Sequence, residues 1–140
     1  MSELNLVEKV IALEAVDLLK NLTPDQLARI ASIARQEKLA PGKTLLEPDK
    51  NLDALYVILD GSIEISRNEQ VLHTAGQNEV LGSWALFDSE PLAVAARAVS
   101  DTRLLRIARD DFFDLLSDNM EIAASIFQTI VRRFRQIVEK

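Results

Sequence analysis

The sequence predicts an α+β protein, in which an antiparallel β jelly roll is flanked by N-terminal and C-terminal helices. Between residues 38 and 109, apolar residues alternate with a period of two, and turn residues separate many short segments. The segments on either side instead carry apolar residues at spacings of three and four. We therefore expect one domain, with N-terminal helices over residues 1–37, the jelly roll over 38–109 and C-terminal helices over 110–140.

The composition suits a single globular domain. The chain has 140 residues, of which 48% are apolar, and its formal net charge of −6 disfavours adhesion to nucleic acid or acidic lipid. The longest apolar run, Ala54 to Leu59, is too short to cross a bilayer, and the first residues lack the basic region of a secretory signal. We therefore expect a cytoplasmic protein with no membrane insertion. Since there is no cysteine, disulfides, thiolate metal sites and a cysteine nucleophile are excluded.

Two helices are expected ahead of the strands. Leu4 to Leu19 carries apolar residues at helical spacing and is predicted to form an amphipathic helix. A second helix has three start signals: Thr23 as N-cap, Pro24 at the first helical position and Gln26 to complete a capping box. Its apolar face comprises Leu27, Ile30, Ala31, Ile33 and Ala34.

Short antiparallel strands account for the middle of the chain. Val80 and Leu81 end one extended segment, and the pattern predicts six further strands. These are Thr44 to Glu47, Ala54 to Leu59, Ser62 to Ser66, Val71 to Thr74, Leu92 to Val99 and Arg103 to Ala108.

The chain is organised around residues 80–99, where one turn of helix is expected between two strands. Gly82 opens a turn, residues 83–86 can form the helical turn, and Pro91 returns the chain to extended geometry. Because a helix start leaves backbone N–H groups free and glycine has no Cβ, this turn could seat an anion. The plainer interpretation is a tight strand-to-helix turn with Ser83 as its cap.

This stretch resembles the phosphate-binding cassette of cyclic-nucleotide-binding domains, the family of the catabolite activator protein and of the regulatory subunits of cAMP-dependent protein kinase. The family pattern reads Gly-Glu-x-Ala-Leu, a few residues, then Pro-Arg-Ala-Ala-Thr/Ser-Val. The matching positions are Gly82, Ala85, Leu86, Pro91, Ala93 and Ala98. The resemblance implies a cassette over residues 80–92. Two turns that often carry glycine in the family have Asp49 and Asn78, the residue types that best tolerate a left-handed backbone.

Two positions depart from the family pattern. Ser83 stands where the family has the glutamate that holds the ribose hydroxyl, and Leu92 stands where it has the arginine that pairs with the phosphate. Arg97 cannot simply replace that arginine, because positions 92 and 97 of a strand point to opposite faces. The resemblance therefore implies a regulatory module with weak or lost binding of cAMP and cGMP, and no other cofactor. The alternative is a true sensor that binds cAMP, cGMP or another small ligand through a different set of contacts.

The candidate ligand-binding residues all belong to the cassette. Trp84 could stack on a base, although a lone tryptophan beside apolar neighbours is more often part of a core. The full candidate set is Gly82, Ser83, Trp84, Ala85, Leu92 and Ala93.

Two helices are predicted after the strands. The first begins at Arg109 and should turn Phe112, Phe113, Leu115 and Leu116 inward. The second follows Asn119 and carries apolar residues at alternating spacings of three and four, an arrangement typical of helix pairing. The family resemblance implies a homodimer through this helix or a larger parent chain, and packing against the strands is the other interpretation. The residues concerned are Met120, Ala123, Phe127, Ile130, Phe134 and Ile137.

No catalytic or metal site is expected. Gly42-Lys43-Thr44 resembles the end of a P-loop, but Glu37 occupies the position of the required earlier glycine. His73 is the only histidine and has no companion at metal-ligand spacing, so it is interpreted as structural or exposed. The chain ends with the last predicted helix, and no recognition helix follows in it, so we expect no nucleic-acid binding by this segment.

Overall fold

The computed structural model describes residues 4–82 and 92–139. The helical elements are α1 (Leu6–Leu13), a 3₁₀ turn (Asp17–Leu19), α2 (Pro24–Ile33), α3 (Arg109–Asp118) and α4 (Met120–Val138). The strands are β1 (Arg35–Leu39), β2 (Thr44–Leu46), β3 (Ala54–Asp60), β4 (Ile63–Arg67), β5 (Gln70–Ala75), β6 (Val80–Leu81), β7 (Ala95–Ala98) and β8 (Thr102–Ala108).

The described strands form two four-stranded sheets. One has the order β1-β8-β3-β6 and the other the order β2-β7-β4-β5, and every neighbouring pair is antiparallel. This arrangement, with helices before and after it, confirms the predicted α+β jelly roll.

The strand β3 lies between two cores, which explains its unbroken apolar sequence. Leu55 and Val57 pack in the cluster that the helices share, whereas Ala54, Tyr56 and Ile58 pack in the cluster between the sheets. A strand that is covered on both faces cannot show a polar-apolar alternation, because neither face reaches water.

The N-terminal region follows its local signals with one correction. The capping box of Thr23 and Gln26 is present, with Pro24 at the start of α2, so this helix start is confirmed. The single helix expected over Leu4 to Leu19 is wrong, because α1 ends at Leu13 and Val16 is extended. Leu13, Val16 and Leu19 are all buried. Apolar residues three positions apart can pack into the core from a 3₁₀ turn as well as from an α-helix, so their spacing does not distinguish the two.

Two strands differ from expectation. The sequence analysis missed β1, which begins at Arg35, ahead of the boundary expected at residue 38. Its sequence is Arg-Gln-Glu-Lys-Leu, and it lies at an edge of its sheet, so no apolar alternation marks it. The strand expected over Leu92 to Val99 is shorter, because β7 includes only Ala95–Ala98.

One aromatic residue of α3 was assigned to the wrong face. Phe112 is buried, as expected, but Phe113 is 42% exposed. Adjacent residues of a helix point about 100° apart, so a single core cannot take both rings completely.

Candidate functional site

The turn before β6 sets the entrance to the cassette. The Ile58 amide donates to the Glu79 carbonyl at 2.9 Å, and the Asn78 amide donates to the Ile58 carbonyl at 2.8 Å. Asn78 has φ +70°, which confirms that it takes the left-handed backbone expected of a glycine substitute. The register pairs Leu81 with Tyr56, so Gly82 follows directly after a strand fixed on the sheet.

Gly82 is required at its position by both conformation and space. Its φ is +79°, and a Cβ placed on it would lie 2.4 Å from Leu52 Cδ2 and 3.0 Å from the Ala54 carbonyl oxygen. A larger residue would be strained and would have to displace Leu52. Gly82 is therefore buried against Leu52 and Ala54 at this turn.

Three of the six candidate residues fall outside the described residues. These are Ser83, Trp84 and Ala85, together with the expected helical turn that contains them. Of the other three, Gly82 forms the turn, Leu92 is buried and Ala93 is exposed.

Leu92 lies in the core between the sheets. Its side chain is 6% exposed and belongs to the same buried cluster as Leu46 and Leu52. Its backbone pairs with the loop between β2 and β3: the Leu92 amide donates to the Lys50 carbonyl at 3.0 Å, and the Leu92 carbonyl accepts from the Asp49 amide at 2.8 Å. Asp49 has φ +68°, as expected of this turn. The position that resembles the family's phosphate-binding arginine thus carries a buried apolar side chain.

Arg97 faces away from this core. Its neighbours Ala96 and Ala98 are buried, whereas its own side chain is 58% exposed and lies 3.7 Å from Glu64. Arg97 and Leu92 therefore point to different sides, as expected, although Leu92 itself lies outside β7.

A shallow recess of about 190 Å³ opens beside Leu92. The loop residues Lys50 and Asn51 contribute to it, although the sequence analysis did not select either of them. The lining residues are Thr44, Leu45, Leu46, Glu47, Lys50, Asn51, Leu52 and Leu92. Polar side chains from β2 and the following loop therefore surround an apolar surface that includes Leu92.

Two hydrogen bonds to Glu79 support the turn that leads into β6. His73 Nε2 lies 2.7 Å from Glu79 Oε2, and the Gly76 amide donates to Glu79 Oε1 at 3.1 Å. The hydrogen bond from His73, and next the one from Gly76, lower the pKa of the Glu79 carboxyl. His73 is exposed, in agreement with its interpretation above. Within residues 4–82 and 92–139, no group of three or more His, Cys, Asp or Glu residues is placed to hold a metal ion.

A second polar cluster lies where β3, β8 and β1 meet. Arg106 Nε donates to the Tyr56 hydroxyl at 3.3 Å and lies 3.9 Å from a Glu37 carboxylate oxygen. Burial raises the pKa of the Tyr56 hydroxyl. Burial also acts to lower the pKa of Arg106, but the hydrogen bond and the surrounding negative charge outweigh it and raise that pKa. Arg106 therefore links the buried Tyr56 to Glu37 of the edge strand β1.

The helix α4 turns its predicted pairing residues to solvent. Phe127, Phe134 and Ile137 are 67%, 64% and 72% exposed, and Ile130 is 38% exposed. A different face, with Ile122, Ile126 and Thr129, is buried against the rest of the chain. The alternative in which the pairing residues pack against the strands is therefore wrong.

The buried face of α4 is held by polar contacts that the sequence did not reveal. Asn21 Nδ2 donates to the Thr129 hydroxyl at 2.9 Å, and that hydroxyl donates to the Ser125 carbonyl at 3.1 Å. Arg133 forms an ion pair with Asp17 of the 3₁₀ turn. In the described part of the chain, no helix has the length and apolar character needed to span a membrane.

Comparison with known proteins supports the family resemblance described in the sequence analysis. The chain is 32% identical over 106 residues to the cAMP-dependent protein kinase regulatory subunit of Aspergillus fumigatus, covering 74% of this chain and 26% of that protein. It is 23% identical over 124 residues to the CRP-like cAMP-activated global transcriptional regulator of Mycobacterium tuberculosis, covering 85% of this chain and 55% of that protein. The chain thus spans about half or less of the length of these relatives.

A solved structure and a family model extend the likeness to the whole fold. The N-terminal domain of a transcriptional regulator from Streptomyces coelicolor A3(2) superimposes with a TM-score of 0.83 at 26% identity, covering 91% of this chain and 92% of that one. The model of the cyclic nucleotide-binding domain matches residues 36–119, more than half of the chain. With its jelly roll, its left-handed glycine turn after β6 and this match, the chain belongs to the cyclic nucleotide-binding domain family.

Proposed function

We propose that this chain is a non-catalytic regulatory or interaction module whose binding of cAMP and cGMP is weak or lost. The observation that carries this proposal is Leu92, a buried leucine where the family pattern has a phosphate-binding arginine. Ser83 replaces the ribose-binding glutamate of the same pattern. A transcriptional regulator and a kinase regulatory subunit are among its relatives, which supports a regulatory role. A location in the cytoplasm is part of the same proposal.

The size of the expected loss follows from the two missing contacts. Truncating one partner of a buried, hydrogen-bonded charge pair costs about 2–5 kcal/mol. A hydrogen bond to a charged group contributes about 1.5–3 kcal/mol. Since each 1.4 kcal/mol is a factor of about ten in affinity, the two replacements together remove several decades.

A true small-ligand sensor remains the second candidate function. The specific observation in its favour is the recess of about 190 Å³ beside Leu92, where polar side chains of β2 and the following loop surround an apolar surface. Such a sensor would hold cAMP, cGMP or another ligand by backbone donors and a non-standard set of side chains.

Titration of the pure chain with cAMP and then cGMP distinguishes the two candidates. Trp84 is the only tryptophan, so its emission and the melting temperature are recorded together. A ligand that binds the native state stabilises it by RT ln(1 + [L]/Kd), so binding must raise the melting temperature. We expect no saturation in the micromolar range, and a saturable micromolar response would establish the sensor instead.

We further propose that α4 is the interaction surface and that a second copy of the chain covers it. Five of its six predicted pairing residues are exposed, and they follow the spacing of a helix seam. The alternative is that a neighbouring part of a larger parent chain covers the same residues. In either case we expect the α4 surface to bind its partner without a ligand. A ligand with equal affinity for two conformations does not shift the equilibrium between them.

Replacement of Phe134 by glutamate tests the dimer. Because Phe134 is 64% exposed in the single chain, the substitution should leave the melting temperature of a monomer unchanged while placing charge in the apolar seam. We expect sedimentation equilibrium to show a dimer for the native chain and a monomer for Phe134→Glu. Gln128→Glu adds the same charge at an exposed position of α4 outside the seam and should remain dimeric. A monomeric native chain would favour the larger parent chain.

A further inference from the structure

The loop between β2 and β3 is attached to the chain where it leaves the cassette. Both backbone groups of Leu92 bond to adjacent residues of this loop: its amide donates to the Lys50 carbonyl at 3.0 Å, and its carbonyl accepts from the Asp49 amide at 2.8 Å. The Lys50 amide also donates to the Glu47 carbonyl at 3.3 Å, which closes the loop as a turn. The backbone of Lys50 is therefore held beside Leu92.

Lys50 lines the recess beside Leu92 and is a free cation among the described residues. Its side chain is exposed, and no ion pair within residues 4–82 and 92–139 includes it. The same recess is lined by the hydroxyl-bearing Thr44 and the amide-bearing Asn51, which can both donate hydrogen bonds. Arg97, the other cation considered for this role, is directed outward and lies near Glu64.

We propose that Lys50 supplies the positive charge for an anionic phosphodiester ligand in the recess beside Leu92. This inference rests on the proposed function, since it assigns the residual binding of a cassette that lacks its arginine. Lysine acts as a flexible point charge, whereas arginine offers a planar fork that matches two phosphate oxygens. Binding through Lys50 is accordingly weak but sensitive to charge.

Glu47 allows a second test of the proposal, in which the expected change in affinity has the opposite direction. Its carboxylate lines the same recess, so it repels a phosphate that Lys50 attracts. Removing the charge of Glu47 should therefore strengthen the binding that removal of the charge of Lys50 weakens. A merely structural role of the loop would not produce opposite effects from two exposed side chains.

Calorimetric titration of the full chain with cAMP tests the proposal. We expect Lys50→Gln to weaken binding by about tenfold, Lys50→Arg to retain it, and Glu47→Gln to strengthen it by about threefold at low salt. Lys43→Gln removes an exposed lysine near the start of β2 that does not line the recess, and should bind as the native chain does. Melting temperatures confirm that all variants are folded.

Four outcomes decide whether Lys50 has this role. A tenfold loss confined to Lys50→Gln supports the role of Lys50. Equal affinity of Lys50→Gln and the native chain overturns it, as does a native chain that binds no cAMP at about 10 mM, a concentration at which even millimolar affinity would be visible. Micromolar affinity of the native chain would instead contradict the proposed function, and the ratio of Lys50→Gln to native would still decide the role of Lys50.

Discussion

Replacing Ser83 with glutamate and Leu92 with arginine together is expected to raise the affinity for cAMP by at least about 100-fold. The Leu92 backbone is held by hydrogen bonds to Asp49 and Lys50, so an arginine at this position would extend from a backbone fixed on the loop between β2 and β3. The gain is smaller than the sum of the two contacts, because the new guanidinium replaces a side chain that is 6% exposed and must itself be desolvated.

Two controls make this result interpretable. The double variant Ser83→Gln with Leu92→Met has side chains of similar length without the charges, and it should gain no affinity. The charged variant should melt below the native chain without ligand and recover with cAMP, because the phosphate neutralises the buried arginine. If the Ser83→Glu, Leu92→Arg protein is folded but does not bind cAMP at millimolar concentration, these positions do not form a cassette.

Replacement of Gly61 by alanine is expected to lower the free energy of unfolding by about 2–5 kcal/mol. This figure is the sum of the cost of backbone strain and the cost of overpacking. Gly61 has φ +96°, and a Cβ on it would lie 2.5 Å from the Asp101 carbonyl oxygen and 2.7 Å from Thr102 Cα. These are backbone atoms at the start of β8, so the clash cannot be relieved by rotating a side chain.

Gly42 provides the matched control for this prediction. It also has a positive φ, +84°, but nothing lies within 4 Å of its Cβ position. Gly42→Ala therefore measures the backbone strain alone, about 1–2 kcal/mol. Urea denaturation of the three proteins compares the free energies of unfolding, and equal losses for Gly61→Ala and Gly42→Ala would contradict the packing argument.

Local signals made much of the fold predictable from the sequence. The capping box at Thr23 involves residues three apart, and the apolar run of β3 is continuous, so each could be recognised without tertiary information. The edge strand β1 could not, because its charged side chains have no periodicity and only pairing with β8 makes it a strand. The break at Val16 was hidden since the buried residues on both sides keep a spacing of three.

The candidate site was predictable only where a sequence pattern marks it. Gly82 and Leu92 belong to one motif, and the structure places one at a left-handed turn and the other in the core. Lys50 could not be found in this way, because it lies in a distant part of the sequence and a backbone hydrogen bond from the Leu92 amide to its carbonyl brings it beside Leu92. The hydrogen bond between Asn21 and Thr129 joins residues 108 positions apart, and no sequence pattern predicts it.

The most direct test of a ligand-independent module is the oligomeric state of the native chain with and without cAMP. Sedimentation velocity is measured over a range of protein concentrations, first without ligand and then with about 100 μM cAMP, well below the millimolar affinity expected of this cassette. We predict the same distribution of monomer and dimer in both series, because a ligand that does not occupy the site cannot shift the equilibrium. A monomer that becomes a dimer on addition of cAMP would contradict the account.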